Sequence, residues 1–303
     1  MKIKNQSKVR FRHKLEYLCF LFLIFLTKKC KIETLSNVFS KVAMVVGFLL
    51  RRVRRYRIAL SNSEIIFPNK TLHERHGIII RSYANIGRFV AEYFYQNRID
   101  KKWFEENVTI EGAEHIAKYK ENGFFCFGGH VGNWELIHVY LRLFHDIHLK
   151  VIFKKQKNPL MNDLVAEARM LEHMEKGSGS MKNLISNIKG KYVVGTFVDQ
   201  KDKRGSQVDF FGKPCFTSTA IQRLSLKYNY PMLCVMAVRT KKDPNKFLIK
   251  IQPPLEEIES DNFDEKVLDL TKKSSEMIEK CILEYPDQWL WIHDRWSLHE
   301  RRR

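Results

Sequence analysis

The chain has 303 residues, 44% of them hydrophobic and 12% aromatic, which excludes a disordered protein and allows one large domain or two modest ones. Its formal charge of +19 is concentrated in residues 1–57, which carry fifteen lysines and arginines against two acids. Basic charge between apolar runs is typical of a segment that meets an anionic membrane surface. Nucleic acid is the competing partner, but the sequence contains no zinc-finger, RNP or basic-zipper pattern, so we expect no nucleic-acid binding.

Two apolar runs lie in this basic region, Tyr17–Leu26 and Val42–Leu50. Each run is shorter than the roughly 20 residues that a helix needs to span a bilayer. We therefore predict membrane anchors that dip into the interface or lie along it. The alternative is a pair of ordinary core helices with basic ends. The predicted organisation is a membrane-associated region over residues 1–57 and one larger domain over residues 58–303.

The rest of the chain alternates between segments with helical spacing of apolar residues and short apolar runs typical of strands. Thr71 and Glu74 form a capping-box pattern that opens a long amphipathic helix. Short apolar strands and helices then alternate, which predicts an α/β sandwich around one mixed, mainly parallel sheet. The predicted strands are Val108–Ile110, Phe124–Phe127, His148–Phe153, Tyr192–Val198, Met232–Val238 and Phe247–Ile251. The predicted helices are Gly112–Asn122, Pro159–Met174, Met181–Ile188, Thr217–Tyr228 and Phe263–Leu283, and Lys201–Arg204 is a predicted loop.

The stretch FFCFGGHVGNWEL, residues 124–136, combines a strand, a glycine turn, a histidine and the start of a helix. Open α/β sheets carry their chemistry at the carboxyl ends of strands. A free imidazole titrates close to neutral pH, so His130 suits a general base, although a structural turn histidine is the alternative. Two acids could orient it: Glu135, close in sequence, and Asp199, at the end of another strand. If the two strands are parallel neighbours, His130 and Asp199 face one cleft. Alternatively, Glu135 is only an acid favoured by the dipole at the N-terminus of a helix, and Asp199 only hydrogen-bonds its own backbone in a turn at the end of a strand.

Several cations could meet phosphate groups, although solvated surface charge is the alternative for each. They are Lys154 and Lys155, the segment Lys201–Arg204, and the helical Arg169. The six cysteines form no CxxC pair and no zinc-ligand spacing, which predicts buried thiols in a reduced compartment and no metal site. The sequence contains no GxSxG elbow, Walker loop or dinucleotide fingerprint. We therefore expect direct transfer to an acceptor hydroxyl, with no covalent enzyme intermediate and no cofactor.

GHVGNWE, residues 129–135, resembles the GxHxGNWE signature of the late acyltransferases of lipid A biosynthesis, the lauroyl/myristoyl acyltransferase family. Further blocks resemble the family in the same order, over roughly residues 50–297. They are Arg57-Ile58-Ala59 with Phe67-Pro68, Asn158-Pro159-Leu160 with Arg169, Val198-Asp199-Gln200, Phe210-Phe211-Gly212 with Thr217, and Pro286–Arg295. The chain departs from the family's pattern at Phe153-Lys154, Asp209 and Ser297, where the family commonly has Tyr-Arg, proline and a basic residue.

The resemblance implies transfer of a fatty acyl chain from acyl carrier protein to a hydroxyl on an acyl chain of a phosphorylated, Kdo-bearing lipid A precursor. This step of lipopolysaccharide biosynthesis would take place at the cytoplasmic face of the inner membrane, and residues 58–303 would be the catalytic domain. His130 would be the base, with Glu135, Asp199 and Arg169 completing the catalytic site. The implied substrate-binding residues are Asn133, Lys154, Gln200, Arg204 and Arg295. Candidate oxyanion donors are the backbone N–H groups near Gly132-Asn133 and the Arg169 guanidinium.

Two alternatives stay open on the sequence. One is an acyltransferase of the same fold that acts on another glycolipid or phospholipid acceptor, or that uses acyl-CoA as the donor. The other is a non-catalytic membrane-binding protein that keeps the fold.

Overall fold

The structure is a computed structural model, and it describes residues 9–153, 158–161, 172–175 and 180–299. The strands of these residues are β1 (Val108–Glu111), β2 (Phe125–Gly128), β3 (Lys150–Phe153), β4 (Glu172–Glu175), β5 (Val194–Phe197), β6 (Lys201–Phe210), β7 (Lys213–Thr217), β8 (Met232–Arg239) and β9 (Phe247–Pro254). Seven of them form one sheet in the order β1-β9-β8-β2-β5-β3-β4. All neighbours in it are parallel except β8 and β9, so the predicted mixed, mainly parallel sheet is confirmed.

Helices cover both faces of this sheet. The α-helices of the described residues are α1 (Phe11–Lys29), α2 (Ile32–Leu49), α3 (Arg54–Ile66), α4 (Leu72–Tyr93), α5 (Lys101–Asn107), α6 (Ala113–Tyr119), α7 (Leu136–His145), α8 (Ser180–Lys189), α9 (Ala220–Tyr228) and α10 (Phe263–Glu284). One core joins the sheet to α3, α4, α8, α9 and α10, and the second joins its other face to α5, α6 and α7. The fold is therefore an α/β sandwich.

Strand β2 lies in the middle of the sheet, between β8 and β5. Phe125 and Phe127 belong to one core, whereas Phe124 and Cys126 belong to the other, because successive side chains of a strand point to opposite faces. A strand that is buried on both faces reads as a continuous apolar run, which explains the FFCF pattern. The GGHVGNWE residues therefore follow a central strand and leave it at the carboxyl edge of the sheet.

The two N-terminal helices are longer than the apolar runs that predict them. The helical stretch Ile32–Arg52 is, by length and composition, long and apolar enough to cross a membrane. The expectation that the second run is too short to span is therefore wrong on length, because the helix begins ten residues before Val42 and includes Ile32, Leu35, Val38 and Phe39 there. Apolar side chains on one face of each helix are exposed: Phe11, Leu15, Leu18, Phe22 and Phe25 on α1, and Val38, Val42, Val45 and Leu49 on α2.

Helices α2 and α4 approach each other closely at Gly87 of α4. A Cβ atom at Gly87 would lie 2.3 Å from the Phe39 carbonyl oxygen and 2.7 Å from the Ala43 Cβ, both on α2. We expect Gly87→Ala to lower the free energy of unfolding by about 1–3 kcal/mol, because the helices must move apart. Gly77→Ala on the same helix is the matched control. It meets only the flexible end of Arg81 and should stabilise the helix by about 0.5–1 kcal/mol. Chemical denaturation in detergent measures both changes, and equal signs would contradict the close packing.

Three predicted elements differ from the structure. The predicted helix Pro159–Met174 is wrong at its end, where Glu172–Glu175 pairs in parallel with β3 as strand β4, and residues 162–171 lie outside the described residues. The predicted loop Lys201–Arg204 is the beginning of β6, which pairs antiparallel with β7. Thr217 ends β7 instead of opening the next helix. Strand β4 pairs with β3 across an intervening segment, which local periodicity does not reveal, whereas β6 and β7 form a hairpin with each other around Phe211-Gly212. The Thr71–Glu74 capping box at the beginning of α4 is confirmed.

Candidate active site

His130 and Asp199 meet at the carboxyl edge of the sheet. Strands β2 and β5 are parallel neighbours, and their last residues, Gly128 and Phe197, are paired in register. His130 and Asp199 each lie two residues beyond this pair, so both side chains lie next to each other at the carboxyl ends of β2 and β5. The His130 Nδ1 atom is 2.8 Å from Asp199 Oδ1, and the His130 backbone N–H donates to Oδ2 at 2.8 Å. The predicted convergence of these two residues is therefore observed.

The Asp199 carboxylate is buried and has three hydrogen-bond donors. Besides the two from His130, the Trp289 indole N–H donates to Oδ2 at 3.0 Å. Burial alone would raise the pKa of Asp199, but the charge of His130 and these hydrogen bonds outweigh it and lower the pKa to about 2. An ionised carboxylate can only accept, so Nδ1 of His130 carries the proton of this contact. In the neutral imidazole, the lone pair is then on Nε2.

Aromatic side chains surround the His130 ring and leave part of it open. The ring centroid is 4.2 Å from that of Phe197 and 5.0 Å from that of Trp134. The side chain of His130 keeps 16% of its surface exposed, whereas that of Asp199 keeps 2%. The ring is therefore fixed on its Nδ1 side by a buried acid and can be reached by a ligand in an otherwise apolar setting.

The loop after His130 requires glycine at position 132. Gly132 has a φ of +68°, and a Cβ atom there would lie 2.1 Å from the Ala237 carbonyl oxygen. The backbone N–H of Gly132 donates to Gln288 O at 3.1 Å, and that of Asn133 donates to Ala237 O at 2.9 Å. The expectation that these N–H groups receive an oxyanion is therefore wrong for this conformation, since both are already used to fix the loop. The other candidate donor, Arg169, lies outside the described residues.

Glu135 lies at the beginning of α7 in a buried pair with the next turn of the helix. Its Oε2 atom is 3.6 Å from His138 Nε2, and His138 Nε2 is 3.1 Å from Gln96 Oε1. The acid in contact with the His130 ring nitrogen Nδ1 is Asp199 and not the acid that is close in sequence. A catalytic role for Glu135 stays a prediction. Its carboxylate contacts the buried His138, which in turn contacts Gln96.

Of the four predicted substrate-binding residues that the structure describes, two are exposed and two are buried. Gln200 and Arg204 are exposed, and the Arg204 Nε atom is 3.4 Å from Asp202. Arg295 is 1% exposed and donates to Phe216 O and the Thr217 hydroxyl, which ties the end of the chain to β7. It does not face the open side of the site. Asn133 is also buried and donates to the Glu92 carboxylate at 2.8 Å. Lys154 lies outside the described residues. Their roles in substrate binding stay predictions.

The C-terminal segment after α10 forms a wall of the site through Trp289 and Leu290, whereas the family resemblance implied Arg295 of this segment. Val131 and Trp289 form an antiparallel bridge, and the Leu290 N–H donates to His130 O at 3.0 Å. Burial lowers the pKa of His293 to about 4, so its ring is neutral near pH 7 and its Nε2 accepts from the Lys201 N–H at 3.2 Å. The many aromatic residues of this segment are the feature of the sequence that indicates its burial.

No group of three or more histidine, cysteine or acidic side chains within the described ranges could hold a metal ion. The described groups at the carboxyl edge are a partly exposed histidine and the buried acid that contacts it.

Comparisons with known proteins point to one enzyme family. The sequence model described as "Bacterial lipid A biosynthesis acyltransferase" matches residues 4–297. The chain is 26% identical over 254 residues to the lipid A biosynthesis palmitoleoyltransferase of Escherichia coli K12, covering 80% of this chain and 79% of that one. It is 24% identical over 255 residues to the lipid A biosynthesis lauroyltransferase of the same organism, with 80% and 79% covered.

Among solved structures, the chain resembles the 1-acyl-sn-glycerophosphate acyltransferase of Thermotoga maritima. The TM-score is 0.40 at 15% identity, over 82% of this chain and 97% of that one. The family model, in contrast, includes the histidine loop, strand β5 with Asp199 after it, and the C-terminal wall within a single match. The chain therefore belongs to the bacterial lipid A biosynthesis acyltransferase family and is an acyltransferase.

Proposed function

We propose that the enzyme transfers a fatty acyl chain from acyl carrier protein to a hydroxyl of an acyl chain on a Kdo-bearing lipid A precursor. The observation that carries this proposal is the His130–Asp199 pair within the loop that resembles the family signature. The relatives named above are a palmitoleoyltransferase and a lauroyltransferase of lipid A biosynthesis, which supports a fatty acyl donor and a lipid acceptor.

In the proposed reaction, Nε2 of His130 removes the proton from the acceptor hydroxyl as its oxygen attacks the thioester carbonyl. The new C–O bond forms, and the carbonyl electrons move onto oxygen to give a tetrahedral intermediate. When the intermediate collapses, the C–S bond breaks and the thiolate takes the proton back from Nε2. Asp199 keeps the proton of the ring on Nδ1 and stabilises the imidazolium between the two steps. No enzyme side chain is acylated.

The positive charge and the exposed apolar faces of the N-terminal region support an enzyme that binds a membrane surface and has anionic substrates. The apolar faces of α1 and α2 are followed by a basic block, residues 51–57. Within this block, the Arg54 and Arg55 guanidiniums donate to His299 O and Ile292 O of the C-terminal segment. Basic side chains thus lie beside the segment that forms a wall of the site, where an acidic carrier protein and a phosphorylated lipid would have to approach. We place the enzyme at the cytoplasmic face of the inner membrane.

Mass spectrometry of lipid A tests the proposal directly. We expect a strain without this enzyme to make lipid A that lacks one fatty acyl chain. The wild-type sequence should restore that chain on complementation, and His130→Gln should not. Fragmentation of the restored lipid gives the length and position of the chain, and assays of purified enzyme with acyl carrier protein and coenzyme A thioesters identify the donor. Unchanged lipid A in the deletion strain would contradict the lipid A acceptor and direct attention to another glycolipid or a phospholipid.

A further inference from the structure

A buried ion pair lies behind the histidine loop. Glu92 of α4 and Arg239 of β8 are 6% and 3% exposed. The guanidinium donates through both terminal nitrogens to the two carboxylate oxygens, at 2.8 Å to Oε1 and 2.6 Å to Oε2. Taking two charges out of water is costly, and the cost is offset only when the pair has good geometry and further hydrogen bonds. The additional partners of this pair therefore indicate what it holds.

Two of these partners belong to the histidine loop or bind it. The Asn133 side-chain amide donates to Glu92 Oε2 at 2.8 Å, and Arg239 Nε donates to Asn85 Oδ1 at 2.7 Å. Asn85 in turn donates to Gly132 O at 3.3 Å and to Gln288 O at 3.1 Å. Residues 132 and 133, directly after Val131 and His130, are thus bound through side chains to both members of the ion pair.

The same two residues also contact the C-terminal segment, through the Arg239 backbone, and helix α2, through the Glu92 carboxylate. The Gln288 side chain accepts from the Arg239 backbone N–H at 2.8 Å and donates to the Arg239 carbonyl at 2.9 Å. The next residue, Trp289, is the indole donor to Asp199. From the other side, the Ser36 hydroxyl of α2 donates to Glu92 Oε1 at 2.8 Å. One buried pair therefore connects α2, α4, β8, the histidine loop and the segment that contacts Asp199.

We propose that Glu92 and Arg239 are positioning residues for acyl transfer. They bind Asn133 directly and hold the Gly132 and Gln288 carbonyls through Asn85. They thereby keep His130 against Asp199, without contacting substrate. The inference rests on the proposed function for its kinetic consequence. Positioning errors on the order of 1 Å lower rates by about 10²-fold, so a loss of this pair should appear in kcat much more than in KM.

The decisive variant replaces both charges, Glu92→Met with Arg239→Met. Replacing both members of the ion pair leaves no lone buried charge, but the buried side chains of Asn133, Asn85 and Ser36 each lose a hydrogen-bond partner. We expect kcat to fall by about 10–100-fold with KM within about threefold, in a protein that folds with a lower melting temperature. The control replaces the surface pair Lys250–Glu284, whose atoms are 3.0 Å apart, by methionines, and should keep the wild-type kcat.

Chemical modification provides a readout that needs no substrate. Diethyl pyrocarbonate modifies exposed imidazoles, and tandem mass spectrometry measures the rate at each of the eleven histidines. We expect the rate at His130 to change several-fold in the double variant relative to the exposed His73 and His148. This measurement decides the positioning role even if the enzyme acylates an acceptor other than lipid A, whereas the lipid analysis above decides the proposed function.

Arg239→Lys is the second variant, because it keeps the charge in the core but loses the bidentate contact and the bond to Asn85. It should show the same fall in kcat and the same change at His130, and it decides the question if the double variant does not fold. Wild-type kcat within twofold, or an unchanged modification rate at His130, in a folded variant would overturn the inference.

Discussion

Replacing His130 by glutamine is expected to lower kcat for acyl transfer by about 10³-fold, within the 10²–10⁴-fold that a positioned general base contributes. In this variant the Asp199 carboxylate keeps two donors, the backbone N–H of residue 130 and the Trp289 indole, so the loop keeps its shape. Glutamine cannot take a proton from a hydroxyl near neutral pH. The loss should therefore appear in kcat, with KM changed only a few-fold, in an assay with purified enzyme and a labelled acyl donor.

The control for this variant is His73→Gln, a histidine on the exposed part of α4 far along the chain from the site loop. It should keep the wild-type kcat. Thermal unfolding in detergent should give the His130 variant a melting temperature within a few degrees of that of the wild type. Full activity of a folded His130→Gln enzyme would remove the base from the mechanism and would leave the family membership unaffected.

The sequence was sufficient to predict His130 and Asp199 together because both follow apolar strands. A strand buried on both faces reads as a continuous apolar run. The residues that follow its end lie at the carboxyl edge of the sheet, where α/β proteins place their functional groups. The one additional requirement was that the two strands be parallel neighbours, and β2 and β5 are. The spacing of Glu135 from His130 suggested a second partner, but its carboxylate lies beside His138, one helical turn further on.

The contacts that complete the site join residues that are far apart in the chain. Trp289 reaches Asp199 across 90 positions, and Arg239 reaches Glu92 across 147. No periodicity or spacing in the sequence links such residues, since each lies in its own helix, strand or turn. The same reason explains the error about the N–H groups of Gly132 and Asn133. A glycine turn beside a histidine suggests free donors, but their acceptors come from β8 and the C-terminal segment.

Asp199→Asn is expected to be nearly as damaging as the loss of His130, with a fall in kcat of about 10²–10⁴-fold. Asparagine has the same shape, so the hydrogen bond from Trp289 can be kept. Its amide N–H₂, however, would donate to Nδ1 of His130 and favour the tautomer whose proton is on Nε2, the nitrogen proposed as the base. Asp146→Asn, at the exposed end of α7, is the matched control and should leave kcat unchanged. Wild-type kcat in folded Asp199→Asn would show that the ring does not need an ionised partner.

The same substitution should make stability less dependent on acid. The pKa of Asp199 is lowered from an ordinary value of 3.8 to about 2 in the folded protein, so the ionised carboxylate stabilises the fold at pH values above its unfolded pKa. That stabilisation is about 2 kcal/mol near neutral pH, since one pKa unit corresponds to about 1.4 kcal/mol, and it is lost as the pH falls from about 4 towards 2. Denaturation of both proteins from pH 7 to pH 3 should show the wild type more stable at pH 7 and the difference shrinking below pH 4. A difference that stays constant over this range would mean that the carboxylate is not held ionised by His130 and Trp289.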